Sequence, residues 1–325
     1  MRKKPRGYFM LKIGIVGYGK LGKAVERNVE LFPDIELLYV FSRRAGSIKI
    51  RSGAKVCTME QAVKAAPTLD CVIICLSSEK EATEAVSTFA KLTDTVDAFD
   101  MHRDSTKHRK IAENAAKNGK KVSVVMSGWD PGLLSLERLL FSAFMPSARI
   151  STFWGPGVSQ GHSNALVNVR GVRKAVQYTI PVPEAIAAAE GGRGFEGHSH
   201  RRVCYIVCDN EAEASIAETV KESDYFVDSE PELHFISEEE FDRDHSSAFH
   251  QGELIASHIK NNNEENYSFA RLVLNIASNP DFTASVLLAT ARAAVRLEEE
   301  GNSGAFTLFD IPPRLYFRGD IDRLI

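Results

Sequence analysis

The chain has 325 residues, of which 44% are hydrophobic and 26% charged, the composition of an ordinary globular protein. This composition excludes a disordered or fibrous protein, and the length predicts two domains. A formal net charge of −3 gives the chain no overall attraction to nucleic acid or to an anionic membrane. The longest apolar runs, such as Cys71–Leu76, are far shorter than the roughly 20 residues of a membrane-spanning helix. We therefore predict neither nucleic acid nor a membrane as a partner.

The N-terminus predicts a cytoplasmic protein with a short extension. Residues 1–9 are rich in lysine and arginine, and we interpret them as a flexible, dispensable extension with Met10 as an alternative start. The LKIGIVGYGKLGK run that follows is interrupted by glycines and soon returns to lysine, unlike the apolar core of a signal peptide. The five cysteines, an odd number in so long a chain, also favour a reducing compartment.

The cysteine and histidine spacing predicts no metal site. CVIIC and CYIVC each place two cysteines four positions apart, but in a strand that spacing spans about 13 Å. A zinc ion with thiolate sulfurs at about 2.3 Å cannot bridge this distance, so buried structural thiols are the better interpretation. His198 and His200 could share a face of a strand and bind a metal, although such a pair more often lies on a surface.

The first half of the chain alternates short apolar runs with helical patterns. The predicted strands are Lys12–Gly17, Ile35–Ser42, Cys71–Leu76, Thr95–Phe99 and Lys121–Ser127. The predicted helices between them include Leu21–Leu31, Met59–Ala66 and Thr106–Asn118. This alternation is typical of βαβ units, so residues 10–129 are predicted to form an α/β domain with a doubly wound parallel sheet.

After residue 129 the pattern changes to that of a second domain. Asp130 and Pro131 resemble an N-cap and a first helical residue, and they open a predicted helix over Gly132–Phe144. The runs STFW, AVQYTI, SHRRVCYIVC and PELHFIS predict a largely antiparallel sheet, so residues 130–279 are expected to form an α+β substrate-binding and dimerisation domain. A polar loop at 261–266 precedes helical patterns at Tyr267–Ser278 and Asp281–Glu300. We expect residues of about 280–325 to pack back and complete the first domain.

A glycine-rich turn follows the first predicted strand and opens the first predicted helix. It reads Gly17, Tyr18, Gly19, Lys20, Leu21, Gly22, which is the G-x-G-x-x-G pattern. The first glycine permits the turn, the second admits a pyrophosphate, the third lets helix and strand pack, and the helix N-terminus attracts the phosphates. The turn therefore predicts a Rossmann-type dinucleotide site, with a ligand-free glycine turn as the alternative.

The residues after the second strand predict which dinucleotide binds. An NAD site places an acidic residue about 20 positions after the turn, but this chain has Ser42, Arg43 and Arg44 there. Two guanidinium groups and a hydroxyl can bind the 2′-phosphate of NADP through charge-assisted hydrogen bonds. We predict NADP, against the alternative that both arginines are merely solvated in a turn.

Polar residues after the later strands are candidates for chemistry, because ligands of an open α/β sheet gather at the carboxyl ends of its strands. Asp100 follows the fourth strand and Asp130 the fifth, and together they could hold a substrate ammonium group. The alternatives are a helix cap for Asp130 and a salt bridge with Arg103 for Asp100. Trp129 and Trp154 could equally pack in the core or form a wall of the substrate site.

Seven sequence blocks in one order resemble the meso-diaminopimelate dehydrogenase family over residues 10–315. The blocks are GYGKLG, FSRR, FDMHRD, SGWDPG, TFWGPGVSQGHS, KAVQYT and NPDFTAS. The resemblance implies oxidative deamination of the D-centre of meso-2,6-diaminopimelate to L-2-amino-6-oxopimelate and ammonia, with reduction of NADP. It also implies a homodimer that acts in lysine and cell-wall precursor metabolism.

The resemblance also implies roles for individual residues. It places at the cofactor the turn from Gly17 to Gly22 and the residues Ser42, Arg43 and Arg44. Further cofactor residues that it implies are Cys75, Leu76, Ser77, Ser78, Ala98, Phe99, Ser127, Gly128, Trp129, Asp130 and Pro131. It implies that Asp100 and Asp130 are catalytic and that they surround the reacting end of the substrate with Trp154, Gln160 and Gly161. The far, L-configured end is assigned to Thr179, Arg202, His250 and Asn279.

In the predicted strand SHRRVCYIVC, the neighbouring residues Arg201 and Arg202 lie on opposite faces. Arg202 has the same parity as Cys204 and Ile206, whereas Arg201 points to the opposite face. A guanidinium on a largely apolar face needs an anion, so Arg202 is the candidate ligand of a substrate carboxylate.

Two other functions are compatible with some of these sequence features. One is a different NADP oxidoreductase of the same two-domain build, such as dihydrodipicolinate reductase or another amino-acid dehydrogenase. The other is an NADP-sensing regulator without turnover. Fold alone does not separate these functions, although intact Asp100, Asp130 and Arg202 favour the enzyme.

Overall fold

The computed structural model describes residues 10–78, 80–223, 226, 229–245, 249–258 and 268–325. The predicted extension at 1–9 and the predicted polar loop at 261–266 lie outside these residues. The chain divides into two compact units, of which one comprises the chain through Leu136 together with Pro280–Ile325 and the other comprises Glu137–Asn279. No helix in the described part of the chain is long and apolar enough to cross a membrane.

The first unit is built on a seven-stranded sheet in which every pairing is parallel. Its strands are β1 (Leu11–Val16), β2 (Ile35–Phe41), β3 (Lys55–Cys57), β4 (Cys71–Ile74), β5 (Asp94–Asp97), β6 (Val122–Val124) and β14 (Gly304–Phe306). Their order in the sheet is β14-β6-β5-β4-β1-β2-β3. The helices of this unit are α1 (Lys20–Asn28), α2 (Met59–Ala65), α3 (Glu81–Phe89), α4 (Ser105–Gly119) and α10 (Asn279–Glu299), which begins at the unit boundary. This architecture confirms the predicted Rossmann-type fold.

Both faces of this sheet are buried, as the continuous apolar strands predict. Ile13 and Ile15 of β1 belong to one hydrophobic cluster, whereas Val16 belongs to a second cluster on the opposite face. The apolar stripe of α10, including Leu287 and Leu288, packs into the first cluster.

The second unit contains two smaller sheets. Its strands are β7 (Arg149–Trp154), β8 (Gly157–Val158), β9 (Val172–Pro181), β10 (His200–Cys208), β11 (Glu232–Phe235), β12 (His250–Ser257) and β13 (Phe269–Ile276). One sheet has the order β11-β10-β9-β8 and the other β13-β12-β7. Among the described residues of this unit, the strand pairings are antiparallel except that of β10 with β11, which confirms a largely antiparallel domain. The helices are α6 (Gln160–Val167), α7 (Pro183–Glu190), α8 (Glu213–Glu222) and α9 (Glu238–Asp244), and α5 (Leu133–Phe144) crosses the unit boundary.

Two local predictions are wrong. The segment predicted as a helix over 267–278 contains strand β13, in which exposed and less exposed residues alternate from Phe269 to Ile276. This period of two is that of a strand. The predicted N-cap at Asp130 and first helical residue at Pro131 are also wrong, because the helix α5 begins only at Leu133. Both residues lie in the turn before the helix, in which Gly132 approaches Gly128 closely.

Candidate functional site

The glycine-rich turn has the geometry that close approach of a phosphate requires. Gly17 has a φ of +95°, and a Cβ placed on it would lie 2.6 Å from the carbonyl oxygen of Cys75. A Cβ placed on Gly19 would meet nothing within 4 Å, so the backbone there borders open space. Lys20, Leu21 and Gly22 form the first turn of α1, whose N-terminus therefore faces this space. The turn fits a dinucleotide pyrophosphate.

A cavity of about 710 Å³ opens beside this turn. Nine of the residues predicted to bind the cofactor line it: Gly17, Tyr18, Gly19, Ser42, Arg43, Arg44, Cys75, Leu76 and Ser77. The sequence did not predict the rest of the lining, which is Phe41, Met59, Val63, Glu81, Glu84, Ala85, Thr88 and Phe89. The helical spacing of the apolar residues Ala82, Ala85, Val86 and Phe89 could have indicated the helix α3, which contributes most of this additional lining.

The arginines after β2 lie at the edge of this cavity. Ser42 is buried, and its Oγ accepts a hydrogen bond from the backbone N–H of Arg44 at 3.1 Å. The guanidinium of Arg43 is 75% exposed and forms a 2.6 Å ion pair with Glu81. Two guanidinium groups and no carboxylate at the end of β2 fit the 2′-phosphate of NADP.

Tyr18 lines the cavity, and its hydroxyl is bonded to a residue of α1. The hydroxyl donates a short hydrogen bond to Glu26, which also accepts the backbone N–H groups of Arg51 and Ser52 at 2.7 Å each. Burial, followed by the bond to Glu26, raises the pKa of Tyr18 to about 12. The phenol therefore stays protonated and ties the turn to the loop after β2.

A buried carboxylate, whose role was not predicted from the sequence, joins the ends of β5 and β6. Oδ1 of Asp97 accepts the backbone N–H groups of Phe99 and Met126 at 3.0 Å each, and its Oδ2 lies 2.9 Å from Nε2 of His108. The carbonyl of Asp97 accepts both the N–H and the hydroxyl of Ser127. The Phe99 ring stacks on His108 at 4.0 Å and is therefore part of the core. Asp97 thus fixes the two loops that contain the candidate aspartates.

Asp100 and Asp130 lie on these two loops. Asp100 is exposed, and its backbone N–H donates to Ser78 Oγ at 3.1 Å. Arg103 pairs with Asp104 at 3.5 Å, so the alternative of an Asp100–Arg103 ion pair is wrong. Asp130 is half-buried and accepts a hydrogen bond from the Ser135 hydroxyl at 3.2 Å.

The predicted cofactor residues of the loops after β5 and β6 are not among the described residues that line the cavity: Ala98, Phe99, Ser127, Gly128, Trp129, Asp130 and Pro131. A Cβ placed on Gly128 would lie 3.5 Å from Cβ of Ala98, so the loops after β5 and β6 are in contact. Trp129 and Pro131 are half-buried on the second loop.

Thr179 and Arg202 are directly opposite each other in the β9–β10 register. Their side chains therefore lie on one face of the sheet with Cβ atoms about 5 Å apart. Arg202 is half-buried, donates a short hydrogen bond to Nε2 of His162 and lies 6.0 Å from the Phe226 ring centroid. Arg201 is exposed and binds Glu232 through two hydrogen bonds of 2.7 Å. Arg201 and Arg202 therefore lie on opposite faces of β10, as the alternation of the strand predicts.

His250 lies beside this strand pair. Gly157 pairs with Thr179, and a Cβ placed on Gly157 would lie 3.0 Å from Cα of His250. Both ring nitrogens of His250 are buried and have no hydrogen-bond partner among the described residues. The same is true of Oε1 of Gln177. Burial lowers the pKa of His250 and so favours the neutral form of its ring. An unpartnered buried polar group costs about 1–3 kcal/mol, and a polar ligand would relieve this cost.

The other predicted substrate residues occupy element ends. Trp154 ends β7 with 41% exposure, so it is not a core residue, and its backbone N–H donates to Nε2 of His200 at 3.0 Å. Burial, followed by the charge of Arg202, lowers the pKa of His200 to about 4. Gln160 and Gly161 begin α6 and are exposed, and Asn279 begins α10.

The cysteines are free thiols. Four of the five are buried, which confirms the prediction for them, while Cys208 is half-buried. Burial raises the pKa of the Cys204 thiol to about 12. Within the described ranges, no group of three or more histidine, cysteine, aspartate and glutamate side chains could hold a metal ion.

Comparison with known proteins agrees with the resemblance found in the sequence. Residues 128–277 match the family model of the diaminopimelic acid dehydrogenase C-terminal domain. The chain is 42% identical to the meso-diaminopimelate D-dehydrogenase of Acetivibrio thermocellus over 93% of each protein. It is 37% identical to the Corynebacterium glutamicum enzyme of the same name, over 97% of this chain and 98% of that one.

Two solved structures are similar over 97% of this chain and 98% of their own. The C. glutamicum DAP dehydrogenase in complex with DAP superposes with a TM-score of 0.88 at 36% identity. An engineered D-amino acid dehydrogenase bound to NADP+ superposes with a TM-score of 0.84 at 34% identity. The chain therefore belongs to the meso-diaminopimelate D-dehydrogenase family.

Proposed function

We propose that the protein catalyses oxidative deamination of meso-2,6-diaminopimelate at its D-centre, giving L-2-amino-6-oxopimelate, ammonia and NADPH. The observation that supports this most strongly is the near-complete similarity to the DAP-bound C. glutamicum enzyme. The site agrees with it, because Asp100 and Asp130 follow neighbouring parallel strands in the unit that contains the dinucleotide-type cavity.

The cofactor is NADP, held by the glycine-rich turn and by Ser42, Arg43 and Arg44. When bound, NADP accepts a hydride from the substrate carbon. The open backbone at Gly19 and the amide groups at the start of α1 receive the pyrophosphate. The two arginines receive the 2′-phosphate. The loops after β5 and β6, from Ala98 to Asp100 and from Ser127 to Pro131, border the reacting end.

Asp100 and Asp130 bind the ammonium group at the D-centre, and one of them takes a proton from it. Deprotonation frees the nitrogen lone pair, which forms the C=N bond as hydride leaves the carbon. Water then adds to the imine, and ammonia is released to give the oxo product. Asp97 positions both aspartates through the backbone of their loops.

The L-configured end of the substrate is a zwitterion that needs both donors and acceptors. Arg202 and Thr179 donate to its carboxylate, and a ring N–H of His250, whose nitrogens have no other partner among the described residues, supplies a further donor. Trp154, Gln160, Gly161 and Asn279 complete the substrate site.

The protein acts as a cytoplasmic homodimer with no nucleic-acid partner. Leu139 and Phe144 on α5 and Phe269 and Val273 on the edge strand β13 are exposed apolar side chains that a second copy of this chain could cover. The free thiols suit a reducing compartment. A net charge of −3 does not favour nucleic acid.

Incubation of the purified protein with NADP and meso-diaminopimelate tests this function through the absorbance of NADPH. We expect NADPH with the meso isomer and none with the LL isomer. A dihydrodipicolinate reductase would instead oxidise NADPH with its own cyclic substrate, and a regulator would bind NADP without turnover. Either of those results would contradict the proposal.

A further inference from the structure

We propose that Gln177 is a positioning residue for the far end of the substrate, because its amide sets the direction in which the Thr179 hydroxyl donates. The inference rests on the proposed function and deepens it. It concerns a residue that makes no contact with the substrate and acts through Thr179.

Gln177 and Thr179 are two positions apart on β9, so their side chains share a face of the sheet. Gln177 is fully buried, and its Nε2 donates a 3.2 Å hydrogen bond to Oγ1 of Thr179. Thr179 is half-buried and lies opposite Arg202, whose guanidinium can only donate. The amide therefore lies behind the hydroxyl, on the strand face shared with the guanidinium.

The backbone holds Gln177 in place from both directions. Its N–H donates to Ser163 Oγ at 3.0 Å, and its carbonyl accepts the N–H of Ser159 at 2.9 Å. These residues belong to α6 and its N-cap, so β9 is attached to the segment that contains Gln160 and Gly161. A fully buried side chain on so fixed a backbone has little freedom to turn its amide away from Thr179.

A hydroxyl has one proton to donate and two lone pairs that accept. Because Gln177 donates to Oγ1, the hydroxyl proton of Thr179 is free to point at another acceptor. A carboxylate is an acceptor without a donor, so it fits the pair of donors formed by Thr179 and Arg202. Gln177 thereby favours substrates whose far end bears a carboxylate.

Four D-amino acids separate this effect from a general loss of activity. Two have a far carboxylate, namely meso-diaminopimelate and D-2-aminopimelate, and two lack it, namely D-lysine and D-norleucine. Gln177→Met should lower kcat/KM roughly tenfold on the first two, mainly through KM, because a hydrogen bond to a charged group is weakened. On D-lysine and D-norleucine the change should stay within about twofold.

Gln177→Glu should cause a larger selective loss of activity than Gln177→Met. A carboxylate at this position accepts the Thr179 proton and turns the hydroxyl away from the substrate, so this variant should lose more than Gln177→Met on the same two substrates. Thr179→Val should reproduce the selective loss, and Thr179→Ser should retain activity because it keeps the hydroxyl. Gln251→Met is the matched control on β12 and should behave like the unsubstituted protein.

A double-mutant cycle decides whether Gln177 acts through Thr179. In the Thr179→Val background, Gln177→Met should cause little further loss on the carboxylate substrates. Additive losses, or equal losses on all four substrates in variants with an unchanged melting temperature, would overturn the inference. If Gln177→Met does not fold, Gln177→Glu and Thr179→Val give the same substrate comparison. No NADPH from the unsubstituted protein with meso-diaminopimelate would instead contradict the proposed function itself.

Discussion

Nη2 of Arg43 lies 2.6 Å from Oε1 of Glu81, and both residues line the cavity assigned to the cofactor. The arginine side chain is 75% exposed, and an exposed ion pair contributes only about 0–1 kcal/mol. A doubly charged phosphate is a stronger partner than this single carboxylate. We therefore expect the 2′-phosphate to replace Glu81 at the guanidinium.

Arg43→Ala should weaken NADP binding roughly tenfold or more and NAD binding far less, because charge-assisted hydrogen bonds to the 2′-phosphate contribute about 1.5–3 kcal/mol each. Titration of both cofactors by intrinsic fluorescence measures the two dissociation constants. Arg51→Ala removes the same charge outside the cavity lining and serves as the control. Equal use of NAD and NADP by the unsubstituted protein would contradict the assignment.

Asp100→Asn and Asp130→Asn should each collapse deamination while leaving NADP binding nearly unchanged. An amide neither attracts the ammonium group nor accepts its proton, whereas the hydrogen bonds that shape both loops go to Asp97. The test is kcat and the NADP dissociation constant of each variant, with Asp104→Asn as control, because Asp104 is half-buried like Asp130 and pairs with Arg103. Near-normal turnover in either variant would remove that aspartate from the mechanism.

Arg202→Met should depress kcat/KM on meso-diaminopimelate by roughly a hundredfold, since a half-buried guanidinium bonded to a carboxylate is lost. Activity on D-norleucine relative to meso-diaminopimelate should rise, because that substrate has no far carboxylate. Arg201→Met is the matched control, because Arg201 is exposed and binds Glu232. A larger loss in Arg201→Met than in Arg202→Met is the result that this assignment does not allow.

Asp94 gives a stability prediction that is independent of the active site. Burial raises the pKa of this carboxyl to about 7, although the Val122 N–H donates to it at 2.9 Å. The folded state therefore holds a proton that the unfolded state releases near pH 4, so stability falls as pH rises from about 4 to 7 and stays lower above 7.

Asp94→Asn should remove this pH dependence and stabilise the protein above pH 7, by at most about 4 kcal/mol. The amide oxygen can still accept the Val122 N–H. Urea denaturation midpoints at pH 5 and 8.5 measure the effect, with Asp322→Asn in the exposed C-terminal segment as control. A variant that is less stable than the parent protein at pH 8.5 would show that Asp94 is stabilising as a carboxylate.

The sequence predicted the elements whose pattern is local. The strand before Gly17 and the helix after it are visible as an apolar run and a helical period, and the parity of Arg201 and Arg202 follows from the strand alone. Gly157, Thr179 and His250 are distant in the sequence. The pairing of β8 with β9 and the close approach of β12 to Gly157 bring them together only in the folded unit.

Other parts of the site could not be predicted because they depend on distant partners. Asp97 resembles any other strand residue until the fold brings Met126 and His108 to its carboxylate and Ser127 to its backbone carbonyl. Glu81 becomes relevant only because α3 places it beside Arg43. The error over β13 arose because leucines and valines suit a helix as well as a half-exposed strand.

Deuterium transfer tests the proposed reaction most directly. meso-Diaminopimelate deuterated at the D-centre carbon is incubated with NADP and the protein, and the resulting NADPH is examined by mass spectrometry. We expect that the NADPH contains the deuterium and that the product is L-2-amino-6-oxopimelate. Unlabelled NADPH, or label acquired only from substrate deuterated at the L-centre, would contradict deamination at the D-centre.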